Sequence, residues 1–210
     1  LIFGFLKSKF VTFKSKMTLM ATENKNLSNY NKDTIPNAKD FRFGIVVSEW
    51  NDHITEGLYR GAIEALTDCG ALHQNIIRWN VPGSFELIYG AKKMIETQKP
   101  DVVITIGCVI KGETQHFEFV CEGVTQGIKD LNVLSDVAVI FCLLTDNSEQ
   151  QSIDRSGGKH GNKGTEAAIA AIKMAFLRQQ SSLTHQFEGR QLLASGTKQI
   201  EEGIPLQLKE

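Results

Sequence analysis

Residues 102–110 read Val-Val-Ile-Thr-Ile-Gly-Cys-Val-Ile, the most apolar run of the chain, and pass directly into Lys-Gly-Glu-Thr-Gln-His at 111–116. A short β-branched run without polar alternation marks a strand covered on both faces, the place of a central strand in a parallel sheet. The polar, glycine-bearing stretch behind it leaves the sheet at the strand's carboxyl end, where open parallel sheets bind their ligands. This one segment therefore predicts both a sheet and the rim on which a site would lie.

Working outward, short apolar runs alternate with amphipathic stretches from about 41 to 180, as repeated β-α units on a parallel sheet require. Upstream, a strand at 43–47 is followed by a helix capped by Asn51 or Asp52, with Ile54, Leu58, Ala62, Ala65 and Cys69 on the helical period of about 3.6 and Gly70 just past its end. A second strand at 76–79 breaks at Pro82-Gly83-Ser84. The helix behind it carries Leu87, Ile88, Ala91 and Ile95 and closes at Lys99-Pro100. Downstream of Gln115 a helix face of Phe117, Val120, Cys121, Val124 and Ile128 precedes a fourth strand at 137–144. A short helix to Arg155, a glycine-rich loop at 157–164 and an alanine-rich helix at 165–177 complete the order. The fold class is α/β on a four-stranded parallel sheet.

The domain is expected at 41–180. Residues 1–40 read as a flexible arm, of which 1–19 look like a leader foreign to the protein because Met20 resembles an ordinary start; residues 181–210, where the apolar period fades, read as a weakly ordered tail. With 41% apolar residues, 22% charged residues and a net charge of −1, the chain has no electrostatic bias toward nucleic acid. No run nears the ~20 apolar residues of a membrane span. Cys69, Cys108, Cys121 and Cys142 are scattered without a C-x-x-C pair, so they read as free thiols in a reducing, cytoplasmic setting and form no zinc clip.

The loops after the strands gather the reactive groups. The first offers Trp50-Asn51, the second Pro82-Gly83-Ser84-Phe85-Glu86, the third the run ending at His116, and the fourth leads to Arg155 and the glycine-rich loop. An imidazole with a pKa near about 6.5 can take and return a proton at neutral pH, so His116 is a candidate acid/base, although a helix-capping role fits the residues equally well. Arg155 could grip an anion with its planar fork or merely neutralise a helix end. Glu118 either orients the His116 ring or faces water, and Phe141 reads as core. A nucleotide-binding P-loop is excluded by spacing: Asn162 stands where the motif needs glycine, and Gly164 follows Lys163 in place of Ser or Thr.

Taken together, Trp50-Asn51, the Pro82-to-Glu86 turn, the block from Gly107 to Cys121, Arg155-Ser-Gly and Gly161-Asn-Lys-Gly164 resemble the lumazine synthase family in order and spacing along nearly all of 41–177. Lys111 replaces a frequent Arg, and Trp50 a more usual Phe. The resemblance implies a flavodoxin-like three-layer α/β/α sandwich. It also implies a transferase of riboflavin biosynthesis that joins 5-amino-6-ribitylaminopyrimidinedione to 3,4-dihydroxy-2-butanone 4-phosphate, giving 6,7-dimethyl-8-ribityllumazine, phosphate and water with no cofactor or metal. His116 would be the acid/base. Trp50, Asn51, Ser84, Phe85, Glu86, Val109, Ile110, Phe141 and Lys163 would hold the pyrimidine and ribityl parts, and Gly112, Glu113, Thr114 and Arg155 the phosphate. The resemblance further implies homopentamers with sites between neighbours, in some members closed into a shell of about 60 subunits. A non-catalytic flavin- or lumazine-binding shell protein of the same fold is the alternative. His116 and Arg155 favour the enzyme, and the blocks at 112–116 and 161–164 favour it over the archaeal-type riboflavin synthase that shares the fold.

Overall fold

A computed structural model describes residue 26 and residues 28–201, with side chains through residue 182; the expected leader at 1–19 lies outside the described residues. Four strands, β1 (Phe43–Ser48), β2 (Ile76–Val81), β3 (Val102–Ile110) and β4 (Ala138–Asp146), pair in parallel in the order β2-β1-β3-β4. Residues 102–110 are thus an interior strand. Its residues are buried from Val102 through Cys108 because both faces are covered.

The two faces carry two cores. Phe43, Ile45 and Val47 of β1 and Ile104 and Ile106 of β3 pack with Ile54 and Leu58 of α1 (Asp52–Asp68) and Ile172 of α5 (Lys163–Glu201). On the other side Val46 and Val103 meet Leu87 and Met94 of α2 (Leu87–Gln98) and Val124 and Ile128 of α3 (His116–Leu134). Each fully buried aliphatic or aromatic side chain contributes ~1.5–3 kcal/mol, so these layers dominate the folding energy. The result is the three-layer α/β/α sandwich. None of the described helices is long and apolar enough to cross a membrane.

Several local readings change. Asn51 occupies the cap position of α1 but sits in the left-handed region (φ 61°) and makes no side-chain cap bond; its amide is used elsewhere. The glycine-rich loop is a small antiparallel hairpin, β5 (Ser156–Gly158) with β6 (Gly161–Asn162), behind the short helix α4 (Glu149–Arg155). Helix α5 starts at Lys163 and does not stop at Leu177. Of the α3 face, only Val124 and Ile128 are buried; Phe117, Val120 and Cys121 remain partly open. The described part of the expected flexible arm is pinned to α1: the Tyr30 hydroxyl donates to Asp68 (2.7 Å), and Lys32 pairs with the same carboxylate (2.8 Å).

Candidate functional site

The site is built where the strands end. After β1 the chain keeps pairing with the β2 side, Glu49 N–H donating to Val81 O (2.8 Å) and Trp50 N–H to Pro82 O (3.2 Å). The left-handed turn at Asn51 then swings the backbone into α1 and leaves the Trp50 indole 72% exposed. Asn51 Nδ2 donates to the Cys108 carbonyl (3.1 Å), and the Ser84 hydroxyl reaches the same oxygen at 3.5 Å. One carbonyl at the end of β3 therefore fixes the loops behind β1 and β2. Phe85 lies over Gly123 of α3, where a Cβ would approach its ring to 2.8 Å, and the Glu86 carboxylate folds back beside Gly83.

His116 is the first residue of α3, and its backbone N–H points back to the Thr114 hydroxyl (3.4 Å). The Gln115 side chain does not cap the helix, so its first-turn amides draw no partner from the cap residue's side chain. Glu118 does not orient the imidazole: Lys111 holds its carboxylate at 2.9 Å and draws its pKa below the usual range. Burial pushes the Cys108 thiol up to about 11, so it stays a neutral donor.

These loops enclose a cavity of about 800 Å³. Of the expected site residues, Trp50, Asn51, Ser84, Phe85, Glu86, Val109, Ile110, Gly112, Thr114 and His116 line it. Glu113 is exposed between two lining residues. Three others lie away from the cavity of their own chain. Phe141, read as core from periodicity, is 43% exposed on the edge strand β4. Arg155 ends α4, its Nη1 donating to Gln151 O (2.9 Å). Lys163 opens α5, with Nζ on both oxygens of Glu166 (3.0 and 2.8 Å).

Lining residues that sequence reasoning missed are Pro82, Gly83, Cys108, Phe117, Phe119 and Val120. A signal for one of them, Phe119, existed. Residues two apart on a helix do not share a face, so with Phe117 on the apolar face of the helix Phe119 had to point elsewhere.

Residues 40–179 match the model of the 6,7-dimethyl-8-ribityllumazine synthase family. The chain is 82% identical over 192 residues to the 6,7-dimethyl-8-ribityllumazine synthase of Flavobacterium psychrophilum, covering 91% of this chain and 100% of that one. It is 74% identical over 191 residues to the protein of the same name from Flavobacterium johnsoniae (91% and 100% covered) and 68% identical over 163 residues to that of Christiangramia forsetii (77% and 97% covered).

Proposed function

The chain belongs to the 6,7-dimethyl-8-ribityllumazine synthase family, and from that membership we propose how its cavity performs the family's reaction. The protein is a transferase of riboflavin biosynthesis: it condenses the ribitylaminopyrimidine with the four-carbon sugar phosphate to give the lumazine, phosphate and water. The observation that carries the site assignment is that His116 opens onto the same cavity as Trp50 and Glu86.

Trp50 stacks on the flat pyrimidinedione, for which an exposed indole face supplies a large apolar area. Asn51 and the backbone groups of Ser84, Phe85, Val109 and Ile110 read the heterocycle edges, and Glu86 accepts hydrogen bonds from ribityl hydroxyls. Gly112, Glu113 and Thr114 offer amides and a hydroxyl to the phosphate ahead of the α3 N-terminus, a favourable place for an anion; the Glu113 carboxylate points away. His116 takes the proton of the attacking amine and returns it as the imine forms, phosphate leaves and the ring closes. Positioning two intrinsically reactive partners provides much of the acceleration.

Arg155, Phe141 and Lys163 complete the site from a neighbouring subunit in a homopentamer, alone or in a larger shell. Two features support this: these residues lie away from the cavity of their own chain, and Trp50, Phe119, Val133 and Leu134 expose large apolar surfaces. The catalytic body spans 41–180, with 1–40 and 181–210 as appendages, and the four free thiols suit the cytoplasm. Supplying both substrates to purified protein should yield lumazine absorbance in step with phosphate release; no product from folded oligomer would sink the assignment. Light scattering reads the assembly.

A further inference from the structure

Beyond the residues assigned above, two hydrogen bonds and an ion pair in series join the cavity wall to the Arg155 guanidinium. It starts at Cys108, whose thiol meets the Ser152 hydroxyl at 3.4 Å inside the protein. Ser152 is fully buried and donates its single proton to Asp146 Oδ2 at 2.9 Å. The other oxygen, Oδ1, stands 4.0 Å from Arg155 Nη1. Asp146 is the last residue of β4, its side chain is only 12% exposed, and its backbone carbonyl accepts the Lys111 N–H (2.9 Å) at the start of the third loop. Among the described residues Arg155 is the only cation within 4.0 Å of this carboxylate. A carboxylate this buried needs a cation, and the pair in turn restricts where the cation can sit. Nη1 is occupied by the Gln151 carbonyl and faces Asp146, whereas Nη2 and Nε have no partner among the described residues.

We propose that Asp146, itself held by Ser152, is a positioning residue for Arg155, turning the open edge of the guanidinium toward the phosphate of the sugar substrate. The inference rests on the reading of Arg155 as a phosphate ligand. Asp146→Asn keeps the size and an acceptor for Ser152 but removes the charge. It should raise KM for the sugar phosphate about three- to tenfold and weaken competitive inhibition by inorganic phosphate in parallel, with KM for the pyrimidine unmoved. Ser152→Ala should move the same quantities the same way, less far, and carries the test if Asp146→Asn folds poorly. In an Arg155→Ala background Asp146→Asn should add nothing, because the group it positions is gone. An unchanged or lowered sugar-phosphate KM in Asp146→Asn would make Asp146 a mere counter-charge, and an equal further loss in the double variant would make it act elsewhere; either overturns the proposal. If Arg155→Ala itself spares that KM, the Arg155 reading falls and this one with it. If Arg155→Ala raises it and Asp146→Asn does not, only the present inference falls.

Discussion

His116 stands at the mouth of the cavity, where its ring is exposed and its own backbone amide is bonded to Thr114, so the side chain serves no visible structural purpose. A side chain so placed can be removed without loss of fold. His116→Ala should therefore slow turnover by about one to three orders of magnitude while leaving product affinity nearly intact, as befits a lost proton shuttle. Comparing steady-state turnover with product titration checks this, and full rate in the variant would remove His116 from the mechanism. Arg155→Ala should instead act on binding. A charge-assisted contact is worth about 1.5–3 kcal/mol, so KM for the sugar phosphate should rise well above any change in KM for the pyrimidine; equal changes would mark a structural arginine. What was legible at this scale was residue chemistry on loops. Position within a loop was less so: Asn51 looked like a cap because its type favours caps, but its left-handed backbone and its bond to the Cys108 carbonyl give it a different task. Asn162 was read only as part of a glycine-rich block. It is in fact buried, donating to Gly57 O (2.8 Å) and Ser156 O (3.1 Å) and accepting from Gly164 N–H (2.8 Å), so half of that motif is architecture.

That architecture governs how two elements meet. Helices α1 and α5 approach until a Cβ on Gly164 would collide with the backbone carbonyl of Leu58, and one on Gly61 with the Asn162 side chain. Backbone cannot yield as a flexible side chain does, so Gly164→Ala should destabilise the fold by more than the ~1–3 kcal/mol usual for overpacking and so lower the melting temperature markedly; an unshifted thermal transition would refute the tight contact. A second element-level tie joins α1 to β2, where Arg78 hydrogen-bonds Glu56 and draws its carboxyl below the usual range. A carboxyl depressed on folding stabilises above its unfolded pKa and loses that contribution as pH falls through its folded value. Arg78→Met should therefore flatten the loss of stability on acidification, as denaturant titrations across the acidic range would show. The contribution is modest because both side chains are partly exposed. The strands and their order along the chain were readable because apolar run and burial agree along β1 and β3, whereas on the edge strand β4 the two part at Phe141. The hairpin at 156–162 was not, since its short strands carry glycine and polar residues in place of an apolar pattern. Nor was the extent of α5, because helix can continue where no core pattern marks it.

At the scale of the whole molecule, the cavity of one chain holds the imidazole, the stacking surface and the carboxylate, but not Arg155 or Phe141. Nothing in a linear sequence distinguishes residues that meet within one chain from residues that meet across two, since both are only loops at the same end of a sheet. If the site is shared, activity needs the oligomer, and the two halves can be damaged separately. In a closed ring the contacts are head-to-tail, so each interface joins the His116 face of one subunit to the Arg155 face of the next. Co-refolding His116→Ala chains with Arg155→Ala chains, assayed at sugar phosphate far below saturation so that each alone is slow, should then create some interfaces in which the former supplies an intact Arg155 and the latter an intact His116. Activity should return in part, rising with the fraction of mixed neighbours and reaching its maximum near equal proportions, while each variant refolded alone stays at its own low rate. Mixed oligomers that assemble normally yet remain as slow as their parents would place His116 and Arg155 in the same site from a single chain, and the shared-site reading would be wrong.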